Sequence, residues 1–258
     1  MKNLLILLSF IGYLSVTGCK KDVTDPLENG FNIEQNVLPQ ALSTLNLLQK
    51  PTNGYLRLKS YTTQASLNPS YSVDAVLYDA NGDPSDFGAI SVGNNSYSAN
   101  SKNFNYYGGT SDPSLANLFG TSVSVQAPGL GISATLPTPT GITVSSPAFI
   151  PSASGGTFVG VGTTITWNSS TNNPFGVGIA VEYDGAASLG GSQKLVQNTI
   201  KTSDSGSYTF TANDFANIPN GVDISVIIGR GNYVYASGSS GKSLGIYTYS
   251  VMSCSYKH

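Results

Sequence analysis

From Tyr55 to the end of the chain, apolar and polar residues tend to alternate with a period of two. Tyr55–Tyr61 alternates in this way, and so does Tyr71–Tyr78. This pattern is typical of strands that bury one face and expose the other. It therefore predicts an all-β body for most of the chain.

Further short segments with this pattern recur along the body, each bounded by Gly, Pro or Asn. The predicted strands are 55–61, 71–78, 87–92, 96–106, 121–126, 132–136, 142–145, 163–168, 176–183, 195–202, 207–211, 222–230, 233–237 and 244–256. Regularly spaced short strands favour antiparallel sandwiches, and seven of them fall in the last hundred or so residues. We therefore expect immunoglobulin-like or fibronectin-like domains.

A cluster of prolines separates two β-rich halves, at positions 137, 139, 147 and 151. Proline removes a donor from a strand ladder, so such a cluster indicates a boundary or an edge strand. We predict two tandem antiparallel β-sandwich domains, 31–150 and 151–258. In the second, Asp204-Ser205-Gly206-Ser207-Tyr208 resembles the tyrosine corner of immunoglobulin domains. Phe210 stands where those domains have a cysteine, so we interpret the motif as a turn.

Three polar, glycine-containing stretches between strand patterns predict hairpin turns. They are Asp79–Asp83, Gly229–Asn232 and Gly238–Lys242. The two glycine-rich stretches are not followed by a helix pattern, which a phosphate-binding loop would need. We therefore expect no phosphate site in them.

Helical spacing occurs in one segment ahead of the strands, residues 31–48. Leu38, Leu42, Leu45 and Leu48 are spaced for one helix face, and Pro39 could open such a helix. An extended segment that packs on the first sheet is an equal alternative.

The first eighteen residues have the pattern of a secretory leader. A basic start with Lys2 is followed by an uncharged apolar run, Leu4–Val16, which is shorter than the about 20 residues of a spanning helix. The run ends in Val16-Thr17-Gly18-Cys19, which resembles the lipobox of bacterial lipoproteins. That resemblance implies removal of residues 1–18 and a lipid-bearing (for example palmitate-bearing) Cys19, which would anchor the protein in the membrane.

Residues 19–30 carry several charges and read as a flexible tether. In lipoprotein families an Asp directly after the cysteine resembles an inner-membrane retention signal, and Lys20 stands there instead. We therefore expect an outer-membrane protein, with the periplasmic side and the cell surface as alternative locations of its body.

Charged residues make up 10% of the chain, far below the usual share of about 25%. Loss of Lys2 with the leader leaves 11 basic residues against 14 acidic ones, a net charge of −3. No long basic stripe exists, so we expect no nucleic-acid partner.

The cysteine and histidine content limits the possible chemistry. With Cys19 assigned to lipid, Cys254 lacks a partner for a disulfide and is expected to be a small buried side chain. The one histidine, His258, is the last residue, where chains usually fray. Histidine-based catalysis and a histidine zinc site are therefore not expected.

Two candidate sites use carboxylates. Glu182 and Asp184 would share one strand face and could serve a glycosidase, although a polar strand end followed by a turn is favoured. Asp79, Asn81, Asp83 and Asp86 place oxygen side chains in one loop. Pro84 and Ile90 stand where an EF-hand needs Gly and Glu, so that family is excluded. A plain turn is favoured here, with calcium as the alternative.

Tyrosine is the remaining feature, with 15 residues beside the single Trp167, which we expect in the core. Tyr233, Tyr235, Tyr247 and Tyr249 fall on two consecutive strands that should pair. Aromatic pairs commonly stabilise paired strands, and an exposed set would also suit sugar rings or proteins. We take these four as the candidate ligand surface.

The expected function is that of a non-catalytic surface or periplasmic lipoprotein that binds a partner, with glycans as the leading class. The architecture resembles surface glycan-binding lipoproteins, without any motif specific to them. The alternative is a fimbrillin-like or adhesin-like subunit that assembles by exchange of its first strand, Tyr55–Tyr61, after cleavage at Arg57 or Lys59. We expect no cofactor other than possible calcium.

Overall fold

The computed structural model describes residues 53–101, 105–108, 113–148, 150, 156–170, 173, 175–184 and 195–258. Strands dominate this part of the chain, which confirms the all-β prediction. The leader, Cys19, the tether and the leucine segment 31–48 lie outside the described residues, so the predictions for them remain predictions.

Fourteen strands and one short helix are described. The strands are β1 (Gly54–Thr63), β2 (Ser66–Leu77), β3 (Ile90–Val92), β4 (Asn95–Tyr97), β5 (Asn105–Gly108), β6 (Ser122–Ala127), β7 (Ile132–Pro137), β8 (Val144–Ser146), β9 (Thr164–Trp167), β10 (Val177–Asp184), β11 (Leu195–Thr202), β12 (Ser207–Thr209), β13 (Asp223–Ser237) and β14 (Ser243–Lys257). The helix α1 is Pro113–Ala116, and 3₁₀ turns lie at Pro128–Leu130 and Ala212–Phe215.

A single seven-stranded sheet runs through both halves of the chain, in the order β11-β10-β13-β14-β1-β2-β5. Among the described strands, β1 and β14 form its one parallel pair, with Tyr55 opposite Gly245. The other pairs are antiparallel, as predicted. The parallel pair brings the first described strand beside the last one.

Two smaller sheets pack on one face of the large sheet, which we call the inner face. The four-stranded sheet β4-β3-β6-β7 shares a first apolar cluster with β1 and β2, which includes Leu56, Leu58 and Val125. The three-stranded sheet β12-β9-β8 shares a second cluster with β10 and β13, which includes Trp167 and Ile179. Trp167 is 4% exposed, so its prediction as a core residue is confirmed.

The two longest strands, β13 and β14, serve both clusters. Ala236 and Leu244, near their connecting turn, belong to the first cluster, whereas Val226 and Cys254, near their other ends, belong to the second. Strands from both sides of residue 150 thus share one sheet. The domain boundary predicted there stays a prediction.

A polar band separates the two clusters on the inner face. Asn232 Nδ2 and Thr248 Oγ1 each donate to the Pro137 carbonyl oxygen over 3.0 Å. Ser250 Oγ accepts the Ile142 N–H at 3.0 Å. The segment that leaves β7 therefore crosses the sheet over a row of buried polar side chains. These side chains form hydrogen bonds with backbone groups that would otherwise be buried without a partner.

Arg230 is the charged member of this polar band. Its side chain is fully buried, and its Nη1 lies 3.1 Å from Oδ2 of Asp204, whose side chain is 3% exposed. Asp204 also accepts hydrogen bonds from Trp167 Nε1 at 2.8 Å and from Asn173 Nδ2 at 2.9 Å. Burial lowers the pKa of Arg230, while the Asp204 charge opposes that effect.

The turn predicted at Gly229–Asn232 is wrong, because these residues lie inside β13. Arg230 and Asn232 point inward to the polar band, while Gly229 and Gly231 lie on the opposite face. The glycines and polar residues of this stretch thus have a turn-like composition, although they form part of a strand. The turns at Asp79–Asp83 and Gly238–Lys242 are confirmed, each closed by a backbone hydrogen bond between its end residues.

The chain end is held in place, contrary to the expected fraying. His258 is 8% exposed, and its ring stacks on Phe215 with centroids 4.2 Å apart. Its backbone N–H donates to the Val222 carbonyl oxygen at 2.9 Å. The last residue therefore belongs to the fold of the second cluster.

We expect Asp204→Ala to destabilise the protein by about 3–5 kcal/mol, because it leaves the buried Arg230 charge unpaired. The control is Asp223→Ala, which removes an exposed ion pair with Lys257 and should cost about 0–1 kcal/mol. Urea unfolding of the two variants measures both effects. Equal losses would show that the buried pair has no special role in stability.

Candidate binding face

The outer face of the large sheet carries six tyrosines on three neighbouring strands. Successive side chains of a strand alternate between its faces, so the residues between the inward-pointing ones share the outer face. On β1, β13 and β14 these tyrosines are Tyr55, Tyr61, Tyr233, Tyr235, Tyr247 and Tyr249. They include all four candidates predicted from the sequence.

The predicted pairing of the two tyrosine strands is confirmed. Tyr233 lies directly opposite Tyr247, and their ring centroids are 4.7 Å apart at 50°. A Cβ at Gly245 would lie 3.3 Å from the Tyr247 ring and 3.5 Å from the Tyr233 ring. The glycine thus leaves room for both rings to lie over the strand, and a larger residue would displace them.

The four predicted tyrosines differ in exposure. Tyr247 is 4% and Tyr249 is 1% exposed, whereas Tyr233 and Tyr235 are half-buried. Burial raises the pKa of Tyr233 to about 12, so its hydroxyl stays protonated under physiological conditions. A ligand at this face would therefore meet Tyr233 and Tyr235 before the other two.

Tyr55 and Tyr61 were not among the predicted site residues. Their positions in an alternating strand gave them a common face, but nothing in the sequence placed that strand beside β14. Arg57 lies over the Tyr55 ring at 5.0 Å and Lys59 lies over the Tyr61 ring at 5.5 Å. Such cation–π pairs hold rings and charges in register along one strand.

The candidate catalytic carboxylates lie at the end of β10. Glu182 is 8% exposed and accepts a hydrogen bond from Gln197 Nε2 at 2.5 Å, whereas Asp184 is exposed. Burial raises the pKa of Glu182, and the bond from Gln197 opposes that rise. The glycosidase interpretation stays a prediction.

The four candidate calcium ligands belong to a loop whose carboxylates bond to their own backbone. Asp79 Oδ1 accepts the N–H groups of Asn81 at 2.8 Å and Asp83 at 3.0 Å. Asp86 Oδ1 accepts the Gly88 N–H at 2.8 Å and lies 3.2 Å from the Tyr106 hydroxyl. Within the ranges that the structure describes, no group of three or more His, Cys, Asp or Glu side chains could hold a metal. Calcium stays a prediction.

Cys254 is buried in the second cluster, which confirms its prediction as a small buried side chain. Burial raises the pKa of its thiol to about 11, so the unreactive thiol form dominates at neutral pH.

No helix in the described part of the chain is long and apolar enough to cross a membrane. No protein-family model, curated protein or solved structure matches this chain. The functional argument therefore depends on the residues themselves.

We expect Glu182→Gln to change how stability depends on pH. Because burial raises the pKa of Glu182 above its ordinary value of 4.5, its stabilising effect is present below that value and is lost as pH rises through the folded-state pKa. The variant should match the wild type near pH 4 and be the more stable protein near pH 7. Urea unfolding at several pH values measures this difference.

The control is Asp83→Asn, which makes the same carboxyl-to-amide change at an exposed position in a turn. A Glu182→Gln profile parallel to the wild-type one would show that burial does not affect this carboxyl. If the wild type hydrolyses a glycoside and Glu182→Gln does so at the same rate, the glycosidase interpretation is wrong.

Proposed function

We propose that the protein is a non-catalytic lipoprotein that binds glycans through the outer face of its large sheet. The observation that carries this proposal is the gathering of six tyrosines on three neighbouring strands. A tyrosine ring offers a flat apolar surface with a hydroxyl at its edge, a combination that suits the apolar face and hydroxyl rim of a sugar ring.

The ligand contact would be centred on the half-buried tyrosines next to the β13–β14 turn. Tyr233 and Tyr235 lie on β13 there, and Tyr55 lies across Gly245 at the start of β1. Tyr247 and Tyr249, which are almost fully buried, would form the base of this surface. Because Gly245 carries no side chain, the Tyr233 and Tyr247 rings can lie close over the strand at this point.

The membrane anchor is supported by the lipobox-like Val16-Thr17-Gly18-Cys19 and by Lys20 after it. Several acyl chains at Cys19 would give stable attachment, since one chain alone binds membranes weakly. Residues 20–30 would then separate the β-body from the outer membrane.

We also propose that the two lobes correspond to two immunoglobulin-like sandwiches fused through their shared sheet. Each lobe consists of a smaller sheet packed over part of the large one, with its own apolar cluster. In this proposal the resemblance to surface glycan-binding lipoproteins is one of architecture alone.

A glycan array probed with and without calcium tests the proposed function. We expect binding to one glycan class, weakened about tenfold by Tyr235→Ala, since stacked aromatic contacts contribute roughly 1 kcal/mol or more. Tyr208→Ala, at a half-buried tyrosine on the inner side, is the matched control and should bind normally. Calcium dependence would implicate the Asp79–Asp86 loop.

A blank array under both conditions would contradict the proposal. So would binding that Tyr235→Ala and Tyr208→Ala weaken equally, because the outer face would then have no special part in recognition.

The second candidate function is a subunit that assembles by strand exchange. It is favoured by the position of β1, which lies in the middle of the sheet between β14 and β2. Leu56 and Leu58 insert from this strand into the first cluster, and both are fully buried. Loss of β1 would open a long apolar groove with unpaired backbone groups, ready for a strand from another copy.

Cleavage after Arg57 or Lys59 should convert the protein into larger assemblies if this second candidate is right. Trypsin digestion followed by size-exclusion chromatography and negative-stain electron microscopy measures the change. The Arg57→Gln/Lys59→Gln variant is the control and should stay monomeric. A cleaved chain that stays monomeric or aggregates without order would contradict strand exchange.

A further inference from the structure

The centre of the outer face is buried, although it lies on the side of the sheet away from both apolar clusters. This central patch consists of Ala180, Ile227, Tyr247, Tyr249 and Val251, none more than 4% exposed. The patch extends over β10, β13 and β14, where Ala180 lies opposite Ile227.

The neighbouring side chains of the sheet do not account for this burial. Gly178, Gly229 and Gly231 surround the patch and carry no side chains, yet Ala180 is 0% exposed. Among the described residues, the apolar cluster on this face is built from strands of the large sheet alone. A small side chain among glycines on an open sheet face would stay accessible to water, so the patch needs a covering layer.

We propose that residues 31–48 of this chain form that layer by packing Leu38, Leu42, Leu45 and Leu48 on the central patch. This inference goes beyond the proposed function and does not depend on it. A ligand could still reach Tyr233 and Tyr235, which lie between the patch and the β13–β14 turn.

The location of the segment in the chain supports this occupant. The chain enters the described fold at Asn53, whose carbonyl accepts the Tyr78 N–H and whose side chain accepts the Ser243 N–H at 2.9 Å. Asn53 therefore lies at one end of the large sheet, directly before β1, the strand that pairs with the Tyr247 strand.

The size of the segment also fits. Eighteen residues would span about 27 Å as a helix, and more if extended. The patch extends over two strand spacings, about 10 Å, and over the five residues from Tyr247 to Val251, about 14 Å along the strand. The segment is therefore long enough to cover it, and as a helix it would place all four leucines on one face.

The chemistry of the two surfaces matches as well. The patch carries no charged residue, and the four leucines recur at helical spacing. The tether that precedes them carries Asp22, Asp25 and Glu28, which could not be buried on an apolar surface without a large cost. Among residues 19–52, the apolar stripe is therefore the part suited to this role.

Tyrosine nitration of the full-length protein tests the proposal. In the wild type, tetranitromethane should leave Tyr247 and Tyr249 largely unmodified. In Leu42→Asp/Leu45→Asp, their modification should rise about tenfold or more, as expected for local uncovering. Peptide mass spectrometry measures each tyrosine separately.

Two controls accompany this measurement. Gln40→Asp/Ser43→Asp adds the same charge on the opposite side of the predicted helix and should protect both tyrosines as the wild type does. Tyr183 and Tyr256 are 2% exposed on the inner face, and their protection reports the integrity of the fold. Continued protection of Tyr247 and Tyr249 in the leucine variant would overturn the proposal.

A second measurement decides the matter if the leucine variant fails to fold. Photo-cross-linking from p-benzoylphenylalanine in place of Tyr61, which lies opposite Val251, should join the probe to a peptide within residues 31–52. A cross-link to residues 185–194, to another region or to a second molecule would overturn the proposal.

Discussion

The buried ion pair between Arg230 and Asp204 is the constraint on which the two-lobed arrangement depends. A guanidinium without contact to water is tolerated because it pairs with the Asp204 carboxylate, which in turn accepts hydrogen bonds from the Trp167 indole and the Asn173 amide. Asp204 lies between β11 and β12, and Trp167 ends β9, so the charge ties the small sheet to the large one. The polar band around Arg230 also prevents the two apolar clusters from merging.

The same band determines the path of the chain between lobes. Residues 137–142 must leave one small sheet and reach the other across the inner face, and a connecting segment there needs partners for its backbone. Asn232, Thr248 and Ser250 supply them. Side chains of β13 and β14 thus alternate between the inner and outer faces. Along the inner face, they also change from apolar to polar and back to apolar where the strands cross the band.

Local patterns of the sequence predicted much of this fold, because strand burial leaves a period of two in the residues themselves. The strand positions, the Asp79–Asp83 turn and the buried Trp167 follow from such patterns. The continuity of β13 did not follow, since Gly229-Arg230-Gly231-Asn232 is polar for reasons that arise from a loop more than twenty residues away. Likewise, only four of the six tyrosines on β1, β13 and β14 were predicted for the outer face. Tyr55 and Tyr61 join them through the parallel pairing of β1 with β14, and no sequence pattern near these residues indicates that pairing.

The pairing of β1 with β14 has a consequence for how the protein is made. Asn53 and Ser243, which bond at the start of this ladder, are 190 residues apart in the chain. The first apolar cluster includes Leu244 and Ile246, so neither lobe can complete its core before the last strands have been synthesised. A topology of this kind folds slowly and late. In the export route that we propose from the leader-like residues 1–18, such a delay would keep the chain unfolded until it has crossed the membrane.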